Sequence, residues 1–369
     1  MTESWVAEWD GALAAVGRDF SGGERHVAAD EVERGAVRRY CEPLEFDCPL
    51  HHDASAALAA GYRGIVAPVS GISSRWSRGA LWEPGMPTRY PSADRDADMI
   101  RSAEARMTRL PVPRMPRTFA TDVEIEYGEP VCVGDRLTTS GLRLVSVVPK
   151  ETRVGRGAFV TTESSIHNQR GELVATVRHG GFQYRPRPFE TQAGSASAGG
   201  GGDGAQRNQP APEAARAPSV DWSQQRFFED VAVGDEVPPV SLNVTITRLV
   251  VEAGANLDFS QVHHHEGVAR VSGAPDVYAN NIFVQGWWER AVREFIGIRG
   301  HFKRTGPLRM RIFNTVGDTV TTKGVVTRAW REAGEGLLEL EMRTEMSRGV
   351  SVGPGPVIVS LPLRGSAGA

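Results

Sequence analysis

Asp258 and His263 are the pair in this sequence best suited to acid–base chemistry. They lie five positions apart in Leu257-Asp258-Phe259-Ser260-Gln261-Val262-His263-His264-His265. On a straight helix that separation puts the side chains about 140° apart, and on a strand it puts them on opposite faces. They meet only if the chain turns between them, at a junction between elements where a dyad stays open to substrate. An acid and an imidazole sharing one water is what adding or removing water needs. The plainer reading of the same residues is a helix cap at Asp258 and a satisfied, half-buried histidine at His263. The run His263-His264-His265 does not predict a metal site. Adjacent histidines cannot all point at one ion, and there is no His-x3-His pair. His264 and His265 read as orientation or surface residues.

The elements that must position the dyad come from a duplicated chain. Val133-Gly134-Asp135-Arg136-Leu137-Thr138-Thr139-Ser140-Gly141 matches Val316-Gly317-Asp318-Thr319-Val320-Thr321-Thr322-Lys323-Gly324. Each Gly-Asp suits a tight turn and each β-branched run a strand, so Asp135 and Asp318 read as turn formers. Upstream, His51 leads to Ala57 and Gly61 as His263 leads to Ala269 and Gly273. Between the halves, residues 193–218 are small, polar and rich in Gly and Pro, the composition of a flexible linker. The predicted organisation is therefore residues 1–190, a linker over 191–218, and residues 219–369. His51 to Gly134 spans 83 residues against 54 from His263 to Gly317. The surplus predicts a long surface excursion near Arg75–Arg117.

In the second half, Asn281–Ile296 has apolar residues at helical spacing with Gly297 as a stop. Trp287 and Trp288 on it read as core or interface residues. Asn243–Val251 reads as a strand. Strands are also expected at Leu308–Phe313, Thr319–Thr327, Gly336–Glu345 and Val357–Leu363. The first half predicts strands near Thr121–Tyr127, Arg136–Val148, Gly157–Asn168 and Glu172–Tyr184. One antiparallel sheet wrapping a central helix in each half satisfies this order, an α+β class.

Asp-x4-His, then Ala269, Gly273-Ala274-Pro275 and a short apolar stretch, resembles the (R)-specific enoyl-CoA hydratase motif of MaoC-like hot-dog proteins. The first half, including Gly61-Tyr62-Arg63-Gly64-Ile65-Val66-Ala67-Pro68, resembles the N-terminal dehydratase-type domain of the two-domain members. The resemblance spans nearly all of both halves and implies a double hot-dog. It makes Asp258 and His263 the catalytic pair. It gives the backbone N–H of Asn281 the task of holding the thioester oxygen as enolate charge develops, and it sets Tyr278, Asn280 and Gln285 against substrate. Asn281 stands where the family usually has Gly, which keeps the amide but narrows the pocket.

The first half departs further. Phe46 aligns with Asp258, and Ala67-Pro68 aligns with Ala279-Asn280, where a proline has no N–H to give. It reads as catalytically silent, walling the acyl pocket, with His51 structural. Asp47 and His52 are also five apart and form an alternative, out-of-register dyad.

The expected activity is a cofactor-free hydro-lyase acting on a 2-enoyl or 3-hydroxyacyl thioester of coenzyme A or acyl-carrier protein. Two other classes compete. A hot-dog thioesterase needs a carboxylate on the central helix, where Glu289 lies too deep. The other is a non-catalytic acyl-thioester-binding subunit. A net charge of −3 with mixed signs predicts neither nucleic acid nor an anionic membrane as partner, and a homodimer is compatible with the sequence. Cys41, Cys48 and Cys132 form no CxxC pair, no span is apolar enough for a membrane helix, and the first residues form no signal peptide. A cytoplasmic protein is expected.

Overall fold

The computed structural model describes residues 5–100, 109–152, 155–186 and 220–365. The segment read as a linker, 191–218, lies outside them. The first half runs α1 (Asp10–Leu13), β1 (Arg25–Val27), α2 (Arg34–Cys41), α3 (Ala54–Ala59) and four strands. These are β2 (Arg117–Tyr127), β3 (Thr138–Thr152), β4 (Gly155–His167) and β5 (Leu173–Pro186). The second half runs β6 (Glu236–Asn243), α4 (Ile246–Asn256), α5 (Glu266–Val271), α6 (Asn281–Ile296) and β7 (His301–Arg309). It closes with β8 (Thr319–Glu332), β9 (Glu335–Met346) and β10 (Gly349–Leu361).

The strands form one ten-stranded antiparallel sheet, β1-β3-β4-β5-β2-β7-β10-β9-β8-β6. Its two halves mirror each other about the β2–β7 pair, where Val123 faces Leu308 and Ile125 faces Thr305. Along β9, Leu338, Leu340, Met342 and Thr344 alternate inward, as a sheet with one covered face requires. Helix α6 fills the concave face of the second half. Its Asn280 cap accepts the Phe283 N–H at 2.9 Å, and it ends at Gly297, whose φ of 70° suits a residue without Cβ. Thirteen of its 16 residues are buried, Trp287 and Trp288 among them. Each such large apolar side chain contributes about 1.5–3 kcal/mol.

The duplication is visible in the backbone. Helix α2, the 3-10 turn Pro49–His51 and α3 begin at Arg34, Pro49 and Ala54; α4, the turn Gln261–His263 and α5 begin 212 residues later in each case. The V-G-D turns also coincide: Gly134 N–H bonds to Val32 O as Gly317 N–H bonds to Val244 O.

Three expectations need correction. Asn243–Val251 is not a strand: β6 ends at Asn243 and α4 begins at Ile246, with Thr245 Oγ1 taking the Arg248 N–H at 3.1 Å. Its β-branched run masks helical spacing, because Leu249, Glu252, Ala253 and Asn256 point inward together. The strand placed at Leu308–Phe313 lies earlier, at His301–Arg309. A central helix holds for the second half only. In the first half no described helix exceeds the eight residues of α2. In register with the start of α6 stands the 3-10 turn Val69–Gly71, packed against α6 itself. The approach is close: a Cβ on Gly286 would sit 2.8 Å from Leu44 Cδ1, and Arg290 donates to Leu44 O at 2.6 Å. The three cysteines are free and buried. Among the described residues no helix is long and apolar enough to cross a membrane.

Candidate active site

Helix α4 ends at Asn256 and is capped by Leu257, a non-glycine residue with φ of 62°. That left-handed step, with the turn Gln261–His263 after it, supplies the bend the Asp258–His263 spacing requires. The result is a pair with Asp258 Oδ2 3.5 Å from His263 Nε2. Asp258 is held by its own backbone, its N–H bonding to Asn256 Oδ1 at 2.9 Å, while its carboxylate takes the Ser260 N–H at 3.3 Å. The Asp258 side chain is 31% exposed and that of His263 only 9%, so a reachable acid sits against a sheltered base. His263 Nδ1 lies 2.8 Å from Tyr278 O. A carbonyl only accepts, so Nδ1 carries a proton and Nε2 is the nitrogen turned to Asp258.

Tyr278 packs edge-on to the His263 ring at 5.1 Å and against Phe313 at 4.7 Å. Burial, and then the Asp258 charge, raise its hydroxyl pKa, so the hydroxyl remains a donor. The strand-like segment of Tyr278 is pinned by a bridge to Thr315, by Ala279 N–H to Asn314 O at 2.9 Å, and by Val316 N–H to Val277 O at 3.1 Å. Asp318 secures that clamp, accepting the Thr315 N–H at 2.7 Å and hydroxyl at 3.0 Å, with Arg348 beside it at 2.8 Å. The turn former of the V-G-D repeat thus also fixes the carbonyl that orients His263.

Asn280 and Asn281 follow at once, and Asn281 is the first residue of α6. The N–H groups of a helix's first turn lack intrahelical acceptors and carry its positive end. The buried Asn280 side chain accepts the Phe283 N–H, and Asn281 follows three residues after Tyr278, whose carbonyl holds His263. Gln285, one turn in, is 4% exposed; its Nε2 donates to Asn281 O at 3.3 Å and its Oε1 is buried without a partner.

The first half shows the same frame without an acid–imidazole pair. His51 Nδ1 lies 2.7 Å from Val66 O, the counterpart of Tyr278 O. Where Asp258 should be, Phe46 packs its ring on His51 at 4.8 Å. Burial drives the His51 pKa down to about 3. Val69 and Ser70, in register with Asn281 and Ile282, both give their N–H groups to Glu289 at 2.8 Å. Asp47 and His52 do not pair: Asp47 accepts Trp222 Nε1 at 3.1 Å, and His52 Nε2 bonds to Phe46 O at 2.8 Å.

The excursion after Arg75 is largely exposed, as expected, but it also crosses to the dyad. Arg75 Nε donates to Ala255 O at 2.7 Å, two residues before Leu257. Asp96 O accepts Gln261 Nε2 at 2.9 Å, and its carboxylate lies 3.2 Å from His265 Nε2. One residue therefore grips both sides of His263. A cleft of about 380 Å³ runs between residues 29–36 and 75–82, with Trp76 and Trp82 on its walls and Leu257 at one side. His264 is exposed, and no group of His, Cys, Asp and Glu among the described residues could hold a metal ion. Reading the sequence missed Asp96, Glu252 and Asn256. The last two form an i, i+4 polar pair on the inner face of α4, a signal that appears only once α4 is read as a helix.

Residues 14–177 match the family model of the FAS1-like dehydratase domain region. A probable enoyl-CoA hydratase alpha subunit from Thermomonospora curvata is 29% identical over 178 residues, 48% of this chain and 52% of that protein, so the match spans about half of that relative's length. A 3-oxo-4,17-pregnadiene-20-carboxyl-CoA hydratase beta subunit from Mycobacterium tuberculosis is 34% identical over 95 residues, 26% of this chain and 73% of that protein. Two solved structures share the fold over nearly the whole chain. A MaoC-like dehydratase matches with a TM-score of 0.64 at 20% identity, covering 95% of this chain and 99% of that one. A Mycobacterium tuberculosis protein described as a double hotdog fold matches with a TM-score of 0.57 at 14% identity, covering 94% and 98%. With its tandem hot-dog halves, the chain belongs to the MaoC-like hot-dog hydratase/dehydratase family.

Proposed function

We propose that this chain adds water to a 2-enoyl thioester, or removes it from a 3-hydroxyacyl thioester, at one site per chain. The observation that carries the reading is the 3.5 Å approach of Asp258 Oδ2 to His263 Nε2 beside the start of α6. In the hydration direction the dyad holds one water and takes its proton. The hydroxide oxygen bonds to C3, the electron pair of the double bond moves toward C2, and the thioester oxygen gains enolate charge. The Asn281 N–H and the positive end of α6 stabilise that oxygen. A proton from the dyad then completes C2. Dehydration runs the same steps backwards. No cofactor enters this scheme.

The carrier is coenzyme A or acyl-carrier protein. In this scheme Tyr278, Asn280 and Gln285 border the reacting end of the substrate. The first half, residues 1–190, is silent and walls the pocket; residues 219–369 carry the chemistry. Glu289 argues against a thioesterase: its carboxylate is spent on Val69, Ser70 N–H and Ser70 Oγ, and faces no dyad group. The test is incubation with crotonyl-CoA and a longer enoyl-CoA, read by mass. A product heavier by one water supports the proposal. Release of free thiol means a thioesterase, and binding without turnover means a non-catalytic subunit.

A further inference from the structure

Glu252 lies on α4 at 3% exposure, and the dyad chemistry makes no use of it. Its Oε1 accepts Asn256 Nδ2, one helical turn later, while its Oε2 is buried with no hydrogen-bond partner. Burial first, and the nearby Asp258 second, raise this carboxyl's pKa well above the usual range. The Asn280 amide is near enough to oppose that rise, but its Nδ2 makes no well-formed bond to the carboxyl. The result is a buried carboxyl whose charged form is disfavoured beside Asp258.

Asn256 explains what such a group does there. Its Nδ2 serves Glu252 and, at 3.1 Å, Asn280 Oδ1. Its Oδ1 receives the Asp258 N–H at 2.9 Å. Asn280 Oδ1 in turn caps α6 through Phe283. One amide thus ties the backbone of the dyad acid to the start of the helix that receives the thioester oxygen. Its orientation matters: flipped, its oxygen would face two acceptors and its NH2 would face the Asp258 N–H. The acceptor oxygen of Glu252 favours the working orientation. The first half provides an internal comparison. The residue in register with Glu252 is Tyr40, whose hydroxyl lies 2.9 Å from Ser70 Oγ in the turn in register with the start of α6. In both halves this helix position reaches toward that start.

Resting on the reading of Asp258 and His263 given above, we propose that Glu252 is a positioning residue for water addition: it orients Asn256, and Asn256 sets Asp258 and the cap of α6 together.

The test compares Glu252→Gln, Glu252→Leu, Asn256→Leu and the double variant Glu252→Leu/Asn256→Leu on an enoyl-CoA that the parent hydrates. Glu252→Leu should lower kcat by about 10- to 10²-fold, the scale of a small misplacement of reacting groups, with KM little changed. Glu252→Gln keeps the acceptor oxygen and should recover most of kcat. The double variant should be no slower than Asn256→Leu alone, because both act through one amide. A folded Glu252→Leu with parental kcat overturns the proposal. So does a Glu252→Gln as slow as Glu252→Leu, since the acidic proton and not the acceptor oxygen would then matter. If Glu252→Leu does not fold, Asn256→Asp removes the donor at constant shape and must itself be slow. A parent inactive on every enoyl thioester overturns the functional reading and this proposal with it. A dead Asp258→Asn beside a normal Glu252→Leu overturns this proposal alone.

Discussion

Val69 gives its backbone N–H to the Glu289 carboxylate at 2.8 Å, and Val69 is the residue in register with Asn281. Ser70 adds its N–H at 2.8 Å and its hydroxyl at 2.5 Å to the same carboxylate. The donors that could receive an oxyanion in the first half are therefore occupied by a side chain of the second half's own central helix. Phe46 against His51 removes the dyad acid from the same place. Together these contacts form a seam between the halves.

Glu289 should accordingly matter for stability. Truncation to Ala leaves the part-buried Val69 N–H and the buried Ser70 N–H without their acceptor and the Ser70 hydroxyl with Tyr40 alone, at about 1–3 kcal/mol for each buried group left unsatisfied. Glu289→Gln keeps one acceptor oxygen and should lose less. Urea unfolding should rank parent above Gln and Gln above Ala. Equal midpoints for parent and Ala would show that the seam does not depend on this carboxylate.

His51 should be dispensable for turnover and visible in acid. His51→Asn keeps a donor near Val66 O, and hydration should stay within a few-fold of the parent. A loss as large as that of His263→Ala would end the idea of one site per chain. The pH dependence has a definite sign. The folded-state pKa of His51 falls to about 3 by burial, whereas an unfolded histidine titrates near 6.5. Its contribution is intact above about pH 6.5 and is lost as pH falls toward 3, at about 1.4 kcal/mol per unit of separation. The parent should therefore destabilise more steeply than His51→Asn over that window. The variant keeps part of the slope, because burial also lowers His301, to about 4. Parallel curves would contradict the assignment.

Much of this was legible in the sequence because it rested on strong local signals. The α6 limits follow from apolar spacing and Gly297, and the V-G-D turns from their repeat. The dyad's turn follows from the angular mismatch of a five-residue step. What was hidden depended on contacts between distant segments. Ile246, Val250 and Val251 disguised α4, and with it Glu252 and Asn256. The composition of Gly64–Trp76, with Pro68, Gly71, three serines and four β-branched residues, disfavours a helix there. What the sequence did not show is that the turn formed there packs on α6, with Val69 and Ser70 bonded to Glu289. Asp96 could not be found from spacing at all, being 162 positions from Asp258.

Asp96→Ala should loosen the excursion without unfolding the protein. Its pairing with His265 and with Arg95 is exposed, and exposed ion pairs contribute little. The melting temperature should hardly move. Limited trypsin digestion should cut faster after Arg89 and Arg95, since the carboxylate contact to His265 is lost and only the Asp96 carbonyl bond to Gln261 still ties this segment to the Gln261–His265 stretch. Unchanged cleavage would mean that the segment is held elsewhere, for instance through Arg75 and Ala255.

The decisive measurement concerns the dyad itself. Asp258→Asn keeps shape and removes the carboxylate. His263→Ala removes the imidazole that Tyr278 O holds in place. If both groups act on one water, each change should lower kcat by roughly 10²–10⁴. The losses should not add, because either change alone disables the unit, and the double variant should be about as slow as the worse single one. Substrate binding should persist in all three, since in the proposed scheme the thioester oxygen is held by the Asn281 N–H and not by the dyad. Asp258→Asn is the cleaner probe, because the Asp258 N–H to Asn256 Oδ1 bond does not depend on the carboxylate. A well-folded Asp258→Asn that hydrates its substrate normally would reduce the 3.5 Å pair to a local ion contact. The first half would not supply a replacement, because Asp47 and His52 bond to Trp222 and Phe46 instead of to each other.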